Sequence, residues 1–86
     1  MHRLMEFVRT ELAAFLRQLR LAQGFSLNGL ARRAGLSRQM LSKVETRRRR
    51  PTFETVLQLA LAMEYALTKF VNELWAKIRA AAGHPA

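Results

Sequence analysis

Eighty-six residues allow one domain, with little apolar area to spare for a second core. Fifteen Lys and Arg against six Glu and no Asp give a formal charge of +9, more than solubility requires and a pointer to a polyanionic partner. The absence of cysteine excludes disulfides and thiolate zinc sites. No run reaches the ~18 apolar residues of a membrane span and no signal peptide is visible, so a cytoplasmic protein is expected.

In chain order, Leu4, Val8, Leu12, Phe15, Leu16 and Leu19 recur at helical spacing, with neither Pro nor Gly before Gly24. One helix or two abutting helices fill this stretch; Thr10 can cap a second one, leaving 1–9 as a helical extension or a frayed arm. Between Leu27 and Thr46 the pattern is two short helices joined by a tight turn. Leu30, Ala31 and Ala34 form the apolar face of the first, Gly35 permits a left-handed backbone at its end, and Leu36 plugs the wedge between the two. Ala31 is small where the helices cross closely. Ser37 caps the second helix, whose Leu41 and Val44 face inward and whose Arg38, Gln39, Ser42 and Lys43 face outward. This is the pattern of a helix-turn-helix.

Four arginines, Arg47 to Arg50, follow at once. From Arg32 to Arg50 there are eight basic residues against one acid, Glu45, so the charge concentrates on this unit. Pro51 and Thr52 start a further helix with a broad apolar face of Val56, Leu57, Leu59, Ala60, Leu61 and Met63, most of it core. Phe53 is expected to pack into that helix. Thr68 is the candidate cap of a last helix carrying Phe70, Val71, Leu74, Trp75 and Ile78 and ending near Gly83. The chain thus divides into an extension or arm (1–9), the helix-turn-helix domain (10–70), a C-terminal helix (68–83) and a loose tail (84–86). No linker sets off an effector domain, so control is expected from abundance, a partner or a small pocket.

On these residues the chain resembles the Cro and phage-repressor type of helix-turn-helix, the XRE family of transcriptional regulators. LRQLRLAQGFS is similar to the family's first helix, LARRAGLSRQMLSKVE to its second and third, and RRRRPTFETVLQLALAM to its loop and fourth helix. The resemblance implies an all-α, compact five-helix bundle and a pairing of Glu45 with Arg20. The chain departs from the family in two places. Leu27 stands where the family has a phosphate-contacting Gln, and Thr46 and Arg47 stand for its Asn-Gly, so a reshaped loop is expected after Glu45.

The expected mechanism lays the helix from Arg38 to Glu45 in the major groove of double-stranded DNA. Arg38 suits guanine and Gln39 adenine, each bidentate contact discriminating by about 1–3 kcal/mol. Ser42 and Lys43 serve as base or phosphate contacts, and Met40 is either packing or a thymine-methyl contact. Asn28, Ser37, Arg47, Arg48, Arg49 and Arg50 are the candidate phosphate ligands, setting register and not sequence. Ala31, Gly35, Glu45 and Arg20 maintain the motif.

One short reading helix covers few base pairs, so a homodimer is expected, with Phe70, Leu74, Trp75 and Ile78 as the candidate interface, or with residues 1–9 folded across them. Repression asks less of the chain than activation, because occupying a promoter suffices. An antitoxin that also binds and inhibits a protein toxin is the alternative. Catalysis is not expected: the two histidines sit at the ends and no Ser or Lys has a paired base, nor is any cofactor or metal implied. Membrane-surface binding is disfavoured because the cations cluster on a turn and one helix. RNA binding is disfavoured because no aromatic pair beside the arginines offers a stacking platform.

Overall fold

A computed structural model describes residues 2–83 as five helices with no strand among them: α1 (His2–Ala22), α2 (Leu27–Ala34), α3 (Arg38–Glu45), α4 (Phe53–Ala62) and α5 (Leu67–Ala81). The expected tail at 84–86 lies outside the described residues. With nothing to break it before Gly24, α1 runs through residue 10 as one helix of 21 residues. Thr10 therefore caps nothing.

Three helices begin alike. The hydroxyls of Ser26, Ser37 and Thr52 accept from the amides of Gly29, Met40 and Thr55 at 2.9, 3.0 and 3.1 Å, each satisfying one of the free amides of a first turn. The start of α5 differs from expectation. Ala66 occupies its N-cap position with no side-chain cap, and Thr68 lies inside the helix. Leu67 and Phe70 pack against the core there, and their burial substitutes for the missing cap.

Four helices also end alike, each with an amide reaching back five residues and a left-handed residue just before it. Phe25 donates to Arg20, Leu36 to Ala31, Arg48 to Lys43 and Tyr65 to Ala60. Glycine supplies the positive φ after α1 and α2, at Gly24 and Gly35. After α3 and α4 it is Arg47 (φ 64°) and Glu64 (φ 51°) that adopt it. The loop after Glu45 thus keeps a left-handed turn, without the expected reshaping, at the strain cost of a side chain in that region.

The core gathers Phe15, Leu16 and Leu19 of α1, Leu30 and Ala31 of α2, Leu41 and Val44 of α3, Leu59 and Met63 from α4 and its end, and Phe70 of α5. The α1 helix packs against α3 and α5, and α2 against α3 and α4. Ala31 is 1% exposed, as close crossing of α2 and α3 demands. Two expectations of burial fail. Leu61 is 76% and Phe53 67% exposed, because only the face of α4 carrying Thr55, Leu59 and Ala62 meets the core.

Candidate nucleic-acid interface

Two anchors set the pose of α3. Leu41 and Val44 are 0% and 2% exposed, so the helix cannot roll without opening the core. At its C-terminal end Glu45 accepts two hydrogen bonds from Arg20, Nε at 2.7 Å and Nη2 at 3.0 Å, while Arg20 Nη1 donates to the Phe25 carbonyl at 2.9 Å. The arginine's planar fork thus joins α1, the turn before α2, and α3 in one fully satisfied, nearly buried pair. The implied partnership of Glu45 and Arg20 is present.

The opposite face of α3 is open. Arg38, Gln39 and Lys43 are exposed and Ser42 is half-buried, and these four line one shallow cleft of about 480 Å³ together with Thr46 and Arg48. No carboxylate lines it. Arg38, Lys43 and Arg48 make no side-chain hydrogen bond or ion pair among the described residues, so their charge is available to a ligand. Met40 is half-buried, between its two expected roles.

The six expected phosphate ligands do not form one cluster. Arg48 joins the readers, whereas Arg49 and Arg50 line a separate cavity against α1. The Arg47 guanidinium turns away and donates to Thr10 Oγ1 at 2.9 Å, and Arg9 Nη2 donates to the Arg47 carbonyl at 3.2 Å. Arg47 is thus engaged in bracing the loop on α1. Asn28 is exposed in the first turn of α2. Leu27, where the family has its phosphate-contacting Gln, is partly buried and packs against the core, so this position has moved to an apolar task. The Ser37 oxygen accepts the amide of Met40 and retains its proton for an outside acceptor.

Sequence reasoning missed the bracing role of Arg9 and Thr10, because residues 37 to 38 positions apart meet only in the folded chain. It also counted Arg33 with the free charge. That side chain donates to the Ala62 carbonyl at 2.6 Å and to Glu64 at 3.0 Å, closing the end of α4. Of the expected interface on α5, Phe70 is 2% exposed and belongs to the core, and Leu74 packs beside it. Trp75 at 62% and Val71 at 49% are the large apolar residues that α5 presents outward. The exposed Phe53 also places an aromatic three residues from Arg50, which the expected burial had removed from consideration.

A helix-turn-helix family pattern matches residues 16–70, which span the ion-pair arginine, both short helices, α4 and the buried Phe70. The chain belongs to the XRE-type helix-turn-helix family. Within 68 aligned residues it is 32% identical to the HTH-type transcriptional regulator SutR of Escherichia coli (strain K12), covering 79% of this chain. The match spans 38% of that regulator's length. No solved structure matches the chain. This helix-turn-helix has no helix, among the described residues, long and apolar enough to cross a membrane.

Proposed function

We propose that the chain is a sequence-specific, double-stranded DNA-binding transcriptional regulator that acts in the cytoplasm as a dimeric repressor. The observation carrying this reading is the single cleft in which Arg38, Gln39, Ser42 and Lys43 meet Arg48, on a helix anchored by Leu41, Val44 and the Arg20–Glu45 pair. Family membership and the likeness to a named transcriptional regulator support it. Gln39 and Arg38 read base edges, Arg48 and Ser37 hold phosphate at the groove's edge, Arg49 and Arg50 reach the backbone beyond Arg48, and Asn28 holds phosphate from the first turn of α2. Repression follows from occupancy, since a bound dimer excludes polymerase from the same promoter.

The test is selection of binding sites from random duplex DNA, followed by affinity against salt for the winning site. Gln39→Ala is expected to relax one symmetric position by about 1–3 kcal/mol of discrimination. Arg48→Ala is expected to weaken all sequences alike and to reduce the slope of log affinity against log salt by about 0.9. Absence of any enriched sequence would overturn specific recognition. An enriched but non-palindromic site would remove the dimer from the reading.

A further inference from the structure

On the other side of α3 from the reading face lies a cavity of about 170 Å³, between the N-terminal half of α1, Val44 and the loop before α4. Its floor is apolar, formed by Met5, Val8, Leu12, Val44 and Pro51. Its rim is cationic: Arg9, Arg47, Arg49 and Arg50 line it and no carboxylate does. The nearby Glu6 lines the adjoining cleft instead. Arg9 and Arg47 are occupied with each other and with Thr10. Arg49 and Arg50 have no side-chain hydrogen bond or ion pair among the described residues.

An apolar cup with two unpaired guanidiniums beside it matches a small organic anion, with its body on the floor and its carboxylate on the arginine forks. Inorganic phosphate offers nothing to the floor, and a neutral hydrocarbon leaves the guanidiniums unused. A dry cavity of about 150 Å³ accommodates a benzene-sized molecule, which sets the body at about six carbons. We propose that this cavity binds a small aromatic or short-chain monocarboxylate, and that occupancy draws Arg49 and Arg50 away from the DNA backbone. The release of DNA rests on the function proposed above, whereas the binding of the anion does not.

Benzoate is the probe, with benzyl alcohol as its uncharged counterpart. In methyl NMR spectra of the full chain without DNA, benzoate is expected to shift the Val8, Leu12 and Val44 methyls saturably, and benzyl alcohol far more weakly. Arg50→Ala, which removes a charge-assisted contact, is expected to weaken benzoate about tenfold. Arg48→Ala, outside the cavity, leaves binding unchanged. Val8→Phe, at a position 39% exposed, fills the mouth and blocks the shifts while the amide spectrum reports an intact fold. Unsaturable shifts, equal response to benzyl alcohol, or indifference to both Arg50→Ala and Val8→Phe would overturn the site. In the second arm, a labelled random-sequence duplex is titrated at constant ionic strength with sodium benzoate replacing sodium chloride. A severalfold loss of DNA affinity is expected, and an unchanged affinity overturns the coupling. If the duplex fails to bind even in chloride, the proposed function fails, and the NMR arm still decides the anion site.

Discussion

Arg47 and Glu64 show how a residue of the wrong type is held in a demanding backbone position. Both end a helix at positive φ, where glycine rests without strain and a side chain costs about 1–2 kcal/mol. Compensation differs between them. Arg47 hydrogen-bonds Thr10, whereas Glu64 has an exposed partner in Arg33, with side-chain exposures of 81% and 51%. Exposed pairs contribute about 0–1 kcal/mol. Glu64→Gly is therefore expected to stabilise the protein by about 1 kcal/mol, strain relief exceeding the lost pair, read as a higher urea midpoint with unchanged m.

Tyr65 affords a second check at this scale. Its hydroxyl donates to Glu73, and that bond, then burial, then the carboxylate's charge hold its pKa above the ordinary 10.0. Because the folded pKa is the higher one, the contribution is fully present below the unfolded value and is lost as pH rises through the folded value. It is the sole tyrosine, so absorbance titration is unambiguous. The ionisation midpoint is expected above 10.0 in the folded chain, moving down in Glu73→Gln.

Among the elements, α3 is the one whose stability and task can be separated. Eight residues are too few to form a helix alone, so its order comes from the Ser37 cap, the buried Leu41 and Val44, and the Arg20–Glu45 clamp. Removing one partner of a nearly buried pair leaves the other charge uncompensated. Glu45→Ala is expected to cost about 3–5 kcal/mol in denaturant unfolding. Gln39→Ala, on the exposed face, should stay within about 0.5 kcal/mol. A stability loss in Gln39→Ala equal to that of Glu45→Ala would mean that the outer face of α3 is structural.

For the whole molecule, the charge is sorted by the fold into structural and available parts. Arg9, Arg20, Arg33 and Arg47 tie elements together, whereas Arg38, Lys43 and Arg48 to Arg50, around the two ends of α3, make no such tie among the described residues. The apolar surface is sorted likewise, with Phe70 drawn into the core and Trp75 and Val71 left outside. We propose that outer strip of α5 as the dimer's contact surface. Sedimentation equilibrium of Trp75→Glu is expected to show dissociation to monomer with an unchanged helical spectrum. A dimer as tight as the parent's would move the interface elsewhere, with the exposed Leu61 of α4 as the next apolar surface to test.

Local patterns made the helices, the turn at Gly35, the caps at Ser37 and Thr52 and the outward row on α3 legible, because each depends on neighbours within a few residues. Glycine and serine at such points have one main physical use. The Arg20–Glu45 pair was visible only through family resemblance. What escaped had its cause far along the chain. Thr10 is a bracing acceptor because Arg47 reaches it from 37 positions away. Leu61 and Phe53 stay outside because α4 has one face to give and the core is filled from four other helices. The left-handed Glu64 follows from a chain reversal that Arg33 of another helix closes. Hydrophobic spacing determined that the chain would be a set of amphipathic helices, but that His2–Ala22 forms one helix, which side of each helix was shared, and which arginines remained free were decided by how the helices pack.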